Sequence, residues 1–255
     1  MRPVLFTFAG VDVPAYAVFV ALGIAAAIAV RRVEVRRLGY HATPGHQYVG
    51  LFALLGAMVG SKLGMVLFVG PEALAQLGWA ALTFDFTGKT VVGGIAGGYL
   101  GVELGKKLVG VRHSTGDGFA VSLPLAQAFG RVGCWLNGCC YGTPTDLPVG
   151  RLAAGLHPTQ LYEAALDLAL ASALWATRRR PLPSGHRFRL ALAGYGAIRF
   201  GLEFFRGDAG WRVGPLTAVQ WVCLAAAVGF GGSVLRGVIR TSRSSPENAA
   251  SRDGA

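Results

Sequence analysis

The chain has 255 residues, 53% of them hydrophobic and only 15% charged, with a positive mean hydropathy. That composition excludes an ordinary soluble domain and fits a protein dissolved in lipid. The formal charge of +11 does not point to nucleic acid, because the basic residues come in short clusters between apolar runs rather than on one face or in one tail.

A transmembrane helix needs about 20 mostly apolar residues. About seven such runs follow one another, near 14–30, 47–68, 90–109, 117–137, 158–176, 189–205 and 215–234. The segment before the first run has no basic start joined to a short apolar core and cleavage site, so no cleavable signal peptide is expected and the first run stays in the protein. The second run carries Gly56, Gly60 and Gly64 and the third Gly93, Gly97, Gly101 and Gly105, each series in steps of four. Ridges of this kind let helix backbones approach closely in lipid. Gly93, Gly94, Gly97 and Gly98 together leave open a second reading, a bare backbone that admits a lipid headgroup. Lys62, Arg131 and Arg199 lie inside the runs, and a mid-bilayer charge costs about 3 kcal/mol or more, so each needs a partner or a wet cavity.

The fourth run ends in GRVGCWLNGCCYG, residues 130–142. Its glycines loosen the helix around Arg131 and turn the chain after Asn137, so that polar groups line a cavity instead of meeting acyl chains. The fifth opens with HPTQLYEA. Pro158 suits the first helical position and pushes His157 out of helical geometry, so His157 is expected to cap a helix carrying Gln160, Tyr162 and Glu163. Both a structural and an acid–base role stay open for this histidine. The sixth reads GYGAIRFGLEFFRGD. At about 100° per residue, Tyr195, Arg199, Glu203 and Arg206 fall on one stripe about 80° wide. An Arg199–Glu203 pair that only neutralises itself is one reading. Arginines facing a cavity and gripping a phosphate is the other.

Lys and Arg in the connections divide sixteen to five between the two sides, which puts the N-terminus outside and the C-terminus in the cytoplasm. The expected fold is therefore all-α, a polytopic membrane protein of about seven transmembrane helices. Residues 1–238 form one membrane domain, and the small, polar residues 239–255 form a disordered tail. Cys134, Cys139, Cys140 and Cys223 show no paired CxxC spacing and no second His/Cys cluster, so neither metal nor cofactor is expected. Packing, a disulfide near the outer face and a part in chemistry all remain open for these thiols.

The motifs GRVGCWLNGCCYG, HPTQLYE and YGAIRFGLEFFR, in that order behind PAYAVFVALG, resemble the prolipoprotein diacylglyceryl transferase family of bacterial inner membranes, from about residue 14 to 232. The resemblance implies transfer of a diacylglyceryl group from phosphatidylglycerol to the lipobox cysteine thiol that follows a prolipoprotein signal peptide. A thioether forms and glycerol phosphate leaves. It also implies site residues. Tyr16 matches a first-helix tyrosine, and Arg131, Asn137, Gly138 and Gly142 match the signature. His157, Gln160, Tyr162 and Glu163 match the histidine–proline island, and Tyr195, Arg199, Glu203 and Arg206 the last motif. Lys62 stands where arginine is usual. Three positions depart from the pattern: Cys134 replaces an asparagine, Cys139 a glutamate and Val92 the histidine of a His-Gly-Gly motif.

Arg131 and Arg199 are then expected to stabilise charge on the leaving phosphate. Glu203 would orient an arginine, and Tyr16, Tyr195 and Asn137 would donate hydrogen bonds. His157, Glu163 or a tyrosine would take the acceptor's proton. Two rival readings are a related transferase with another acceptor and a non-enzymatic lipid-binding protein. No inverted repeat relates the halves, which counts against a transporter.

Overall fold

The computed structural model describes residues 2–8, 10–39, 46–78, 90–208 and 210–243. The chain is mostly helical and forms two compact units, one of Met1–Leu38, Ser114–Gly207 and Leu224–Ala255, the other of Gly39–His113 and Asp208–Cys223.

The first unit opens with a hairpin that the run analysis missed. Strands β1 (Val4–Phe8) and β2 (Val11–Pro14) pair antiparallel with a bulge between Val4 and Phe6. The Arg2 amide donates to Leu136 O at 2.9 Å, which ties the hairpin to a helix end that carries part of the site. Pro14, extended and unable to continue a ladder, starts α1 (Ala15–Arg37). A short 3-10 turn, Gly116–Phe119, precedes α5 (Ser122–Asn137), so the fourth run starts later than drawn. The helices α6 (Thr159–Ala176) and α7 (His186–Leu202) follow. Asp117 caps α7 from a distance, accepting the Gly185 amide at 2.6 Å and the Phe188 amide at 2.9 Å. It thereby satisfies donors that a helix start leaves orphaned. Fully buried Glu34 pairs with Arg37 at 2.7 Å and Arg178 at 3.6 Å. The apolar core is small-residue packing of Ala120, Val121, Ala171, Leu174 and Ala191.

The second unit holds α2 (His46–Leu63), α3 (Val66–Leu77) and α4 (Val91–Val109). No run had been assigned to most of α3, which is broken where Gly70 takes φ +78° before Pro71. The two glycine ridges face each other, a pairing that their spacing permits but does not itself choose. A Cβ on Gly60 would lie 2.7 Å from the Gly97 Cα, and one on Gly56 3.1 Å from the Gly101 Cα. Contacts that close are available only to bare backbone. Strands β3 (Arg212–Val213) and β4 (Leu216–Thr217) form a second small hairpin. Helix α8 (Ala218–Arg243) starts in this unit and continues in the first. It runs past residue 239 into the stretch expected as tail, and 244–255 lie outside the described residues. Among the described residues one helix, Ala218–Arg240, is long and apolar enough by length and composition to cross a membrane.

Candidate active site in the first unit

Helical spacing brings the polar side chains together. Gln127, Arg131 and Cys134 recur at intervals of four and three on α5, and Glu163 and Asp167 at an interval of four on α6, so each set shares a face. Tyr195 and Arg199 do the same on α7, whose axis ends at Leu202; Glu203 lies in the 3-10 turn Glu203–Phe205. Arg206 is extended, at φ −77° and ψ 130°. It therefore reaches the site by backbone pairing with Gly142 rather than by the helical stripe expected for it. Arg131, Glu163, Asp167, Tyr195, Arg199, Glu203 and Arg206 are all buried.

Glu163 Oε1 receives Arg131 Nη2 at 2.9 Å and the Tyr195 hydroxyl at 3.4 Å. That hydroxyl in turn accepts from Gln127 Nε2 at 3.3 Å. Arg199 Nη2 lies 2.7 Å from Glu203 Oε2, with Arg206 Nε 3.8 Å from the same oxygen. Both readings of the stripe thus meet in one residue: Arg199 is paired through Nη2, yet its buried Nη1 has no hydrogen-bond partner among the described residues. Both guanidiniums feel the Glu163 carboxylate, and they act on each other. Asp167 is fully buried, and neither of its oxygens has a hydrogen-bond partner among the described residues.

The signature loop is stitched to the two other polar segments by backbone bonds. Gly142 N donates to His157 O at 3.0 Å, His157 N to Thr143 O at 2.9 Å, Thr143 N to Phe205 O at 2.8 Å and Gly207 N to Tyr141 O at 3.1 Å. A Cβ on Gly142 would sit 2.5 Å from the His157 Cβ and 2.7 Å from Phe205 O, so only glycine lets the three segments close. Gly138 ends α5 in the left-handed conformation, and Cys140 follows at φ 61°. Two side chains at the start of α6 hold this turn, Thr159 Oγ1 donating to Cys140 O at 2.9 Å and Gln160 Nε2 to Cys139 O at 2.6 Å. The sulfurs of Cys134, Cys139 and Cys140 lie within 4.8 Å of one another, all free thiols. The Cys134 and Cys139 thiols hold the Cys140 thiol below the ordinary thiol range by hydrogen bonding to it, and the Arg131 and Arg206 charges add to the effect.

The other expected site residues fall as follows. Tyr16, half-exposed at the start of α1, packs over Gly133 and lies within electrostatic reach of Arg131 and the three cysteines. Asn137 is exposed at the end of α5 beside Cys139. His157 does not cap α6. Pro158, at φ −77° and ψ 64°, takes that position without a side-chain bond. The histidine ring instead lies 3.2 Å from the Tyr162 hydroxyl through Nδ1 and edge-on to Phe205. Lys62, Gly93 and Gly94 belong to the second unit. Gly93 is packed against Gly60 and Gly64, and its amide donates to the Thr90 cap at 3.3 Å. Gly94 has room for a side chain.

Gln127, Asp167 and Thr159 are polar neighbours that the sequence reading passed over. Helical spacing carries the signal for the first two, since Gln127 stands four residues before Arg131 on α5 and Asp167 four after Glu163 on α6.

The prolipoprotein diacylglyceryl transferase family model matches residues 3–235. Similar proteins named phosphatidylglycerol–prolipoprotein diacylglyceryl transferase include one from Clostridium tetani, 34% identical over 242 residues, with 88% of this chain and 93% of that protein covered. One from Aromatoleum aromaticum is 32% identical over 255 residues, with 90% and 93% covered. One from Cupriavidus necator is 38% identical over 190 residues, with 68% of each chain covered. With its buried arginines lying in the very motifs that carry the resemblance, and a match from one end of the helical fold to the other, the chain belongs to the prolipoprotein diacylglyceryl transferase family.

Proposed function

We infer that the chain transfers the diacylglyceryl group of phosphatidylglycerol to a prolipoprotein, forming a thioether at the lipobox cysteine and releasing glycerol phosphate. The observation that carries the site is the paired but unsaturated Arg199, oriented by Glu203 and left with a buried N–H to spare. A buried donor without a protein partner costs free energy, and an anionic oxygen that accepts from it returns that cost. Arg131 and Arg199 flank the phosphate, and charge that builds on the leaving oxygens meets fixed donors in a site closed to bulk water. Glu163, committed to Arg131 and Tyr195, anchors the arginine. Tyr195 gives its one hydroxyl proton to that carboxylate and so helps to fix it, while Tyr16 and Asn137 donate toward the headgroup from the exposed margin. Gln160, Gly138 and Gly142 shape the loop, and His157 with Tyr162 offers an acid–base group there.

The chain acts as a multi-pass protein of the bacterial inner membrane. It crosses about seven times, with the N-terminus outside, a single membrane domain that includes all of α8 and a cytoplasmic tail after it. The acceptor's signal peptide lies beside the helices with its cysteine at the outer end of α5. Lys62 and Gly94 of the second unit contact lipid headgroups; Gly93, buried in the seam against Gly60 and Gly64, does not. The test is expression in cells depleted of their own transferase. Thioether-modified lipoprotein returns if the reading is right; unmodified precursor, with the chain present and folded in the membrane, overturns it.

A further inference from the structure

The Cys134, Cys139 and Cys140 sulfurs converge although the three residues are not spaced as a paired metal motif, because the left-handed C-terminus of α5 folds the chain back on its last turn. The turn is held from outside by Thr159 and Gln160, so the convergence is built rather than accidental. Cys134 is buried and the other two are half-buried, which leaves the triangle open on one side. Tetrahedral ligands about 2.3 Å from a zinc ion lie about 3.8 Å apart, and sulfurs within 4.8 Å need to close by no more than about 1 Å on the same scale. Three thiolates around Zn²⁺ carry a formal charge of about −1, and Arg131 and Arg206 both act electrostatically on this cluster. Thiolate sets select Zn²⁺ or Cu⁺ among common ions. Three ligands with an open fourth position are the arrangement of a reactive rather than a purely structural zinc.

We propose that Cys134, Cys139 and Cys140 bind one Zn²⁺ whose fourth position takes the acceptor's thiol as a thiolate, an inference that rests on the transferase reading above. The acceptor thiol displaces a zinc-bound water, and its proton leaves to solvent. The zinc-held sulfur then attacks the glyceryl carbon of phosphatidylglycerol as the carbon–oxygen bond to the phosphate breaks. Glycerol phosphate departs beside Arg131 and Arg199, and the neutral thioether, a poor zinc ligand, gives way to water. No electron is gained or lost. A metal-bound thiol is deprotonated near neutral pH, which the acceptor, mostly thiol at that pH, otherwise is not.

The chain purified under reducing conditions is expected to retain one zinc. Loaded with Co²⁺ in its place, it should show a thiolate-to-cobalt charge-transfer band. Cys134→Ser, Cys139→Ser or Cys140→Ser should each lose that band, and Cys223→Ser should keep it. Chelating the wild-type protein avoids any folding defect of the variants. Transfer at pH 7 should fall about 30-fold, the thiolate fraction lost when the acceptor returns to a pKa of about 8.5. The chelated rate should then climb about tenfold per pH unit toward that pKa, and Zn²⁺ should restore it. Absence of metal, or a disulfide joining two of the three thiols in protein isolated from cells, overturns the site. Metal bound with transfer indifferent to its removal overturns the role given to the acceptor thiol. A chain that shows the cobalt band yet fails in depleted cells separates failure of the transferase reading from failure of the zinc site.

Discussion

Glu163 and Asp167 stand one helical turn apart on α6, both buried, and the structure treats them differently. Glu163 balances Arg131 and holds Tyr195, whereas Asp167 meets no hydrogen-bond donor among the described residues. Breaking a buried pair leaves an uncompensated charge at a cost of about 3–5 kcal/mol; neutralising a carboxyl that has no donor removes a desolvation penalty. Glu163→Gln is therefore expected to unfold at a clearly lower temperature in detergent, and Asp167→Asn at the wild-type temperature or above it. The same melting point for Glu163→Gln and wild type would show that the Arg131 pair does not hold the site. Sequence made Arg131, Arg199 and Glu203 conspicuous because ions are rare in apolar runs. It hid Asp167 and Gln127, because their helices were read for length and not for polar faces. The cap of α6 falls on Pro158, one residue beyond the His157 expected from sequence, which frees the histidine ring to meet Tyr162.

At the scale of elements, the α2–α4 seam was legible from steps of four glycines, since close packing in lipid demands small residues on one ridge. A side chain on Gly97 has no space, its Cβ falling 2.7 Å from the Gly60 Cα, while one on Gly94 meets Ser61 at an ordinary 3.6 Å. Gly97→Leu is expected to lower stability by about 3 kcal/mol or more, at or beyond the upper end of overpacking costs. Gly94→Ala should be neutral within about 0.5 kcal/mol. Thermal unfolding of the two variants checks the seam, and equal tolerance of both would contradict it. The break in α3 and the two hairpins escaped a reading tuned to long apolar runs. Strands of two to five residues carry too little periodicity to stand out, and Gly70–Pro71 interrupts a helix without removing its apolar character.

The whole molecule is turned inside out relative to a soluble protein. Leu51, Leu54, Leu55, Met58 and Val59 of α2, Leu100, Leu104 and Leu108 of α4, and Val228 and Leu235 of α8 are exposed, while arginines and carboxylates are buried. Exposed apolar stripes with a buried ionic centre belong in lipid, and the arginine clusters set the sidedness of the proposed topology. In a background with the four native cysteines replaced by serine, an Arg179→Cys variant is expected to react with an impermeant maleimide only from the cytoplasmic side. Asp146→Cys should react only from the opposite side. Labelling of both from one side would overturn the proposed orientation. Composition was enough to read the apolar exterior from sequence; the joining of the three polar segments by loop backbone at Gly142 was not, because it depends on contacts between distant residues.

The central claim is that Arg131 and Arg199 together drive departure of the phosphate. Its most direct test is transfer by the purified chain in phosphatidylglycerol vesicles carrying a synthetic lipobox peptide, read as released glycerol phosphate and as the mass gained on the peptide cysteine. Each of Arg131→Ala and Arg199→Ala is expected to lower both signals together by about 10²-fold or more. A folded double variant that still transfers at the wild-type rate would contradict the account.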